Sequence, residues 1–174
     1  YKYEDWNGDG EINGNDSHPI RYNQYPWMNF SMIFDANYKG FDLNVLFSWQ
    51  RGATKVDNME FFVENPAGFL AVGYNQSSDL QFWQQPGDIV NTPSPLYGTN
   101  FSSKIIHDAS FLRLRDVKLG YTVPKSKLEK IKFISNLNVY VQGSNLFIWT
   151  KWRGPDPEAG ATNLNLSEFP NPRT

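Results

Sequence analysis

Cysteine is absent from the 174 residues, and histidine occurs only twice. The chain therefore has no disulfide framework, no thiolate chemistry and no cysteine-based zinc site. The histidines, His18 and His107, have no metal-ligand spacing to each other, and His107, Asp108 and Ser110 are chain neighbours without the geometry of a hydrolase triad. We expect no catalytic site and no enzymatic activity.

The chain also has no large excess of one charge and no long apolar run. The 16 basic and 18 acidic residues give a net charge of -2, so nucleic acid has no basic surface to bind. No run of about 18 apolar residues occurs, which excludes a transmembrane helix, but a transmembrane strand needs only about 9 to 11 residues. A signal peptide is not visible either, and because the chain begins at Tyr1 without Met we expect upstream sequence elsewhere.

Aromatic residues, in contrast, are abundant. The chain has 6 Trp, 9 Tyr and 13 Phe, yet its mean hydropathy is polar at -0.55. A soluble domain hides aromatic side chains in a core, whereas a porin-like barrel carries them on its lipid-facing surface and balances them with a polar lumen and polar loops. The composition is consistent with a barrel. A soluble antiparallel sandwich, however, shows the same alternation of apolar and polar residues, so the residue pattern alone leaves both folds open.

Alternation of apolar and polar residues predicts four strands. The first two, 27–38 and 41–50, are separated by Lys39-Gly40, which suits a two-residue hairpin. Alternation returns at 115–123 and 137–149.

The connections between these strands are unequal. Leu112 and Leu114 are out of phase with Val117, so either a bulge intervenes or that stretch stands above the membrane. Residues 51–109 are predicted to form a long loop with a strand extension at 60–63, and 125–133 a short helical turn. Short turns at one end and long loops at the other are typical of an outer-membrane barrel.

Five sequence strings, spread in order along the chain, resemble SusC/RagA TonB-linked outer-membrane proteins, so the resemblance extends over nearly the whole chain. The longest is Ala109–Pro124, ending in Lys-Leu-Gly-Tyr-Thr-Val-Pro. The others are Asp5–Gly10, Tyr38–Asp42, Trp83–Asp88, and Val139–Phe147 with Gly154–Glu158 after it.

The resemblance implies an all-β fold: the last strands of an antiparallel transmembrane β-barrel of roughly 22 strands, with long extracellular loops. Residues 1–26 would be an extracellular loop, 27–169 the C-terminal barrel strands and loops, and 170–174 the start of a missing final strand. Because such barrels keep short turns on the periplasmic side, 63–109 and 150–169 are expected outside and 39–40 and 124–135 inside.

The resemblance further implies energy-coupled import of oligosaccharides or peptides across the outer membrane of a Gram-negative bacterium. The expected partners are the plug and remaining barrel of the same transporter, the TonB complex through upstream segments, a SusD-like surface lipoprotein and membrane lipid. The alternative is a soluble, secreted, calcium-stabilised carbohydrate-binding or adhesion domain.

The N-terminal segment has the spacing of a calcium loop. Candidate oxygen ligands stand at loop positions 1, 3, 5, 7, 9 and 12, with Gly10 at position 6 for the sharp turn. These candidates are Asp5, Asn7, Asp9, Glu11, Asn13 and Asp16. Position 12 is Asp rather than Glu, as in dockerin repeats, and we predict a structural Ca²⁺ site there. A solvated turn rich in Asn, Asp and Gly is the alternative.

Polar residues on the inward face are predicted to contact passing substrate or to form a generic wet lining. They are Asn29, Asp35, Asp42, Asn44, Asp116, Lys118 and Gln142. The loop aromatics Trp83 and Trp152 are predicted either to stack on sugar faces or to pack the loops.

Overall fold

The computed structural model describes residues 3–65, 73, 75–76, 78–96, 102–129, 133–159 and 164–165. Its strands, labelled in chain order, are β1 Met28–Tyr38, β2 Phe41–Arg51, β3 Thr54–Asp57, β4 Ile106–Asp108, β5 Phe111–Thr122, β6 Asn138–Thr150 and β7 Leu164–Asn165. The four long strands form one antiparallel sheet in the order β1-β2-β5-β6, and the short ones form a second in the order β4-β3-β7. All four predicted strands are therefore confirmed, whereas the predicted start of a final strand at 170–174 lies outside the described residues.

The turn between β1 and β2 is the predicted two-residue hairpin. Lys39 and Gly40 both have positive φ, 48° and 87°, the combination that matches the twist of paired strands. A Cβ on Gly40 would lie 2.8 Å from the carbonyl oxygen of Thr122, because the Thr122 amide donates to the Gly40 carbonyl at 2.8 Å. The hairpin therefore packs directly against the end of β5.

A bulge in β5 explains the change of phase before Val117. The pairing with β2 shifts between Leu46 and Phe47, and the pairing with β6 shifts between Leu114 and Asp116. Arg115 is the bulged residue: its backbone is paired with no residue of β2 or β6. Because of this extra residue, Leu114 lies on the same face as Val117. Of the two predicted explanations, the bulge is correct.

One face of the four-stranded sheet is apolar from edge to edge. Phe34 pairs with Val45, which pairs with Val117. Two residues along the strands, the next cross-strand pairs on this face are also apolar. Much of this face is open, with Phe34 53% and Val141 68% exposed. Large exposed apolar patches mark an interaction surface, and strands of 11 to 13 residues have the length for a tilted bilayer crossing.

Aromatic side chains lie at both ends of this apolar face. Tyr38, Phe41 and Tyr121 are at the hairpin end, where the rings of Phe41 and Tyr121 are 4.6 Å apart. Trp49 and Trp149 lie at the opposite end. Two aromatic bands flanking an apolar surface are the arrangement found at the two interfaces of a membrane barrel.

The helices among the described residues are few and short. They are α1 Asn58–Val63 and α2 Lys125–Leu128, with 3-10 turns at Gly14–Asp16 and Ser103–Ile105. In the part of the chain that the structure describes, none of these helices is long and apolar enough to span a bilayer. The helical turn predicted from residue 125 is confirmed through 128.

The predicted strand extension at 60–63 is wrong, because α1 occupies those residues. The Asp57 carboxylate accepts hydrogen bonds from the amides of Met59 and Glu60 at 3.1 and 3.2 Å. This N-cap satisfies the free amides of the first helical turn, so local capping outweighs the strand preference of the residues that follow.

The second sheet and the segments around it form a compact loop layer at the end opposite the hairpin. We use loop layer for residues 52–65, 78–96, 102–110 and 151–159 with β7. Most of the buried apolar residues lie there or at its border with β5: Ala53, Ile105, Ala109, Phe111 and Trp152. The core that the described chain supplies for itself thus lies in its loops, outside the large sheet.

Candidate functional site

A polar row crosses the inner face of all four long strands. Asp35 pairs with Asn44, Asn44 with Lys118, and Lys118 with Gln142. Since cross-strand partners point to the same face, the register brings four of the seven predicted lumen residues side by side. The row can present carboxylate, amide and ammonium groups to one molecule.

The neighbouring row places Asp42 beside the same groups. A cavity of about 430 Å³ near the hairpin end is lined by Asp35, Asp42, Asn44 and Lys118, with Asn37 and Asn138 as further amides. Asn44 Nδ2 donates to Asp35 Oδ1 at 2.5 Å, while Lys118 Nζ lies 4.5 Å from the centroid of the Tyr140 ring. Such a surface can hydrogen-bond hydroxyl or amide groups.

The remaining predicted lumen residues lie on the same face but outside this cavity. The Asp116 carboxylate accepts from Gln142 Nε2 at 2.9 Å and from Ser144 Oγ at 3.0 Å. Asn29 is opposite Gln50, close to the loop layer. Polar side chains therefore extend along the whole face, and their contact with substrate remains a prediction.

The two loop aromatics have different environments. Trp83 is 37% exposed, and its amide donates to the Thr92 carbonyl at 3.0 Å. Trp152 is only 6% exposed, and its ring packs edge-on against that of His107, with 6.3 Å between the ring centroids. Of the two roles predicted for Trp152, packing of the loops fits this environment, because its ring is enclosed by the protein. Contact of Trp83 with a sugar stays a prediction.

A buried charge clamp joins the loop after β6 to the inner face of β5. Arg113 NH2 lies 2.5 Å from Asp156 Oδ1, with both side chains under 5% exposed, and Arg113 Nε lies 3.2 Å from Glu158 Oε2. Arg115, the bulged residue, pairs with Glu158 and donates to Ser48 Oγ at 2.9 Å. We call these four charged residues the clamp.

Sequence reasoning missed the clamp, although a signal was present. Two arginines two residues apart on a strand share a face, and Asp156 and Glu158 have the same spacing. The bulge at Arg115 alters that simple alternation, so the pairing with Asp156 and Glu158 needed the fold. Buried charges require partners because desolvation of an isolated charge costs several kcal/mol.

The N-terminal segment is tied to the loop layer close to β1. The Asn23 carbonyl accepts from both the amide and the hydroxyl of Thr54 at 2.9 Å. Trp27 lies against Gly52, where a Cβ would clash with the indole ring, so glycine is required for this contact. The segment before β1 and the loop after β2 therefore meet at one end of the sheet.

The predicted calcium loop is held by its own backbone. Asp5 accepts from the amides of Gly8 and Gly10 at 2.7 and 2.8 Å. Asp9 accepts from the amide of Glu11 at 2.8 Å, and Asn13 accepts from that of Asn15 at 2.8 Å.

Asp16, the last predicted ligand, closes this loop. Its carboxylate accepts from the amides of Asn13 at 2.8 Å and Trp6 at 2.9 Å. Hydrogen bonds from Asn13, and then from Asn7 and Trp6, lower the pKa of Asp16 below its ordinary value. Within the described residues no three Asp, Glu, His or Cys side chains converge as a metal site, so Ca²⁺ binding stays a prediction.

No protein-family model matches the chain. It is 28% identical over 187 residues to TonB-dependent receptor P3 of Formosa agariphila, and 29% identical over 192 residues to TonB-dependent receptor P26 of the same bacterium. Each match covers 99% of this chain and 18% of the relative. The chain therefore spans less than a fifth of the length of these relatives.

Solved structures of the RagAB peptide importer resemble the fold closely. The open-open state matches 94% of this chain and 18% of that chain, with a TM-score of 0.85 and 27% sequence identity. The closed-closed state matches 95% of this chain and 19% of that chain, with a TM-score of 0.80 and 26% identity. The expected resemblance to TonB-linked transporters is confirmed along nearly the whole chain, as is the antiparallel fold of a barrel segment.

Proposed function

We propose that this chain forms part of the wall and outer mouth of a TonB-dependent transporter that imports a nutrient across the bacterial outer membrane. The observation that carries the proposal is the two-sided sheet, whose outer face is apolar with aromatic bands and whose inner face is polar. Such a sheet separates lipid from a water-filled path. Similarity to TonB-dependent receptors supports the same role.

The edges of the sheet would join the rest of the barrel. β1 and β6 each have one side that no described strand pairs with, and an open edge in lipid leaves backbone groups unsatisfied. The missing strands, the plug and the segment that contacts the TonB complex belong to the parent protein in this proposal.

A SusD-like lipoprotein is the proposed outer partner, and the imported nutrient is an oligosaccharide or a peptide. The support for the partner is that the loop layer, with its own buried core and clamp, offers a preorganised surface at the mouth. The similar structures are of a peptide importer. The polar row can hydrogen-bond either kind of nutrient.

Detergent dependence and topology test the proposal. The parent protein should fractionate with outer membranes and require detergent to stay monodisperse, and an epitope inserted at Asn75 should be reached by antibody on intact cells while one at Lys127 should not. A parent protein that is monodisperse without detergent would overturn the transporter proposal and favour the secreted binding domain. Reversed epitope accessibility would overturn the sidedness.

A further inference from the structure

Two cations continue the apolar face of the sheet at its end next to the loop layer. Arg51 is the cross-strand partner of Met28 and lies two residues beyond Trp49 on β2. Lys151 directly follows β6 and lies two residues beyond Trp149. Because alternate residues of a strand share a face, both cations extend the face that carries the two tryptophans, one row farther out. We call Arg51 and Lys151 the rim cations.

The row before the rim cations is the aromatic band at this end of the sheet. Its members are cross-strand partners on all four long strands: Phe30, Trp49, Leu112 and Trp149. Their side chains are 37% to 53% exposed, so the described chain leaves the band open. In a membrane barrel such a band lies where the apolar interior of the bilayer meets the headgroups. The rim cations, one row beyond it, therefore lie at the level of the headgroups.

The protein does not neutralise the rim cations. Within the residues that the structure describes, neither Arg51 nor Lys151 forms an ion pair with a carboxylate, and both are exposed. The guanidinium of Arg51 lies over the ring of Trp27, with 5.6 Å from Cζ to the ring centroid. A cation above a ring face uses none of its N–H groups in that contact, so Arg51 keeps its donors for a ligand.

Ser110, just before β5, engages the carboxylate that lies between the strands of the rim cations. Its amide donates to Asp108 Oδ1 at 2.8 Å, and its hydroxyl donates to the same oxygen. The amide of Gly52 donates to Ser110 Oγ at 2.9 Å, which fixes this end of the sheet. Since β2 and β6 flank β5, the backbones of the rim cations are about 10 Å apart, or two strand spacings. Two side chains of this length can reach one phosphate group across that gap.

We propose that the rim cations bind the phosphate group of a membrane-lipid headgroup, in the leaflet that the proposed topology makes the outer one. A guanidinium holds phosphate through two parallel hydrogen bonds, and an ammonium group attracts it as a point charge. The aliphatic stems of both side chains can lie along the aromatic band while the charges stay among the headgroups. The inference rests on the proposed function, because it requires the apolar face to contact lipid, and it adds the lipid chemistry that this face selects.

Lipid titration of the intact, detergent-solubilised parent protein tests the inference, with bound lipid measured by native mass spectrometry. The probes are phosphatidic acid and a diacylglycerol with the same acyl chains, which differ only in the phosphate group. Phosphatidic acid should bind more tightly, and inorganic phosphate at equal concentration should not displace it, because free phosphate lacks the contact with the aromatic band. These comparisons use the unaltered protein, so they do not depend on any variant folding.

Variants assign the preference to the rim cations. Arg51→Gln and Lys151→Gln should each weaken binding of phosphatidic acid about fivefold, the effect of one basic residue near a membrane surface. The affinity for diacylglycerol should not change, which also shows that the apolar face is intact. Lys118→Gln is the matched control, because the register places this exposed lysine on the polar face beside Asn44 and Gln142. It should bind both lipids as the wild type does.

Three results would overturn the inference: equal affinity for the two lipids, wild-type affinity for phosphatidic acid when both rim cations are replaced by Gln, or displacement of the lipid by inorganic phosphate. The last result would assign the cations to free phosphate. Each of these leaves the import proposal intact. Failure of the import proposal is distinguishable, because it appears as a parent protein that is monodisperse without detergent.

Discussion

The four-stranded sheet and the loop layer are stabilised in opposite ways. The sheet exposes its apolar side chains, as at Phe34 and Val141, and pairs polar groups along its other face. The loop layer buries its apolar side chains together with an ion pair, Arg113 with Asp156. The comparison teaches that the loop layer has a buried core of its own, whereas the sheet leaves an apolar face open, which the proposed contact with lipid would cover.

Breaking the clamp should have the largest effect. Asp156→Asn leaves the buried Arg113 with only Glu158, 3.2 Å from its Nε, as a carboxylate partner, and loss of one partner of a buried pair costs about 3–5 kcal/mol. Hydrogen exchange and proteolysis of the parent protein should show opening of 151–159 with the sheet intact. Glu158→Gln is the control: its side chain is 28% exposed, so this variant should destabilise the loop less. Equal hydrogen-exchange protection in the wild type and both variants would show that the clamp is not stabilising.

A charge on the apolar face should be the next most damaging change. Val45 lies in the middle of that face, so Val45→Arg should cost about 2–4 kcal/mol if it faces the bilayer midplane. Urea titration of the parent protein folded in vesicles measures this cost. Asn44→Arg, one residue earlier on the polar face, should fold almost as well as wild type, and an equal loss in both variants would contradict the two-sided sheet.

The hairpin should be sensitive to a single methyl group. Gly40→Ala places a Cβ at positive φ and 2.8 Å from the Thr122 carbonyl oxygen, so we expect a loss of about 1–2 kcal/mol. Urea titration of the parent protein folded in vesicles measures this loss as well. Gly14→Ala, where the added Cβ meets open space, should be neutral, and similar stabilities for the two variants would mean that the hairpin relaxes.

Acid should loosen the N-terminal loop before it affects the sheet. Because the folded-state pKa of Asp16 is depressed, its contribution to stability is present above the ordinary value of 3.8 and is lost as the pH falls through the lower folded-state pKa. Hydrogen exchange of residues 5–17 should rise in that window. In Asp16→Asn this pH response should vanish, and an unchanged response would assign it to another group.

Calcium should have the smallest effect. Extracellular calcium modules bind at about 10⁻⁴ to 10⁻³ M, so we expect weak binding that restrains the loop without changing the sheet. Asp9→Ala should abolish calcium-dependent protection from protease, while Glu4→Ala, outside the predicted ligand set, should retain it. If chelator changes nothing in the wild type, the segment is an acidic turn.

Much of the sheet was predictable, because its signals are local. Alternation placed all four long strands, Lys39-Gly40 gave the hairpin, and the phase change before Val117 pointed to the bulge. The predicted lumen residues were also brought onto one face, since a period of two fixes which side chains share it.

The loop layer was predicted poorly for a physical reason. β3 has four residues and pairs with β4 and β7, which lie about fifty and more than a hundred residues away, so neither length nor alternation marks it. Its neighbour α1 was taken for a strand because the apolar residues Phe61–Val63 were weighed above the N-cap at Asp57. For Trp152 the sequence left sugar stacking and loop packing open, because exposure of a loop aromatic depends on what folds over it.

The sequence by itself determined the two faces of the sheet, its turns and its relationship to TonB-linked transporters, since these depend on periodicity and on ordered strings of residues. Only the tertiary structure decided the clamp and the burial of Trp152. Those features bring together residues more than forty positions apart in the chain. Separation along the chain does not tell how close two such residues lie in space until the strands between them have paired.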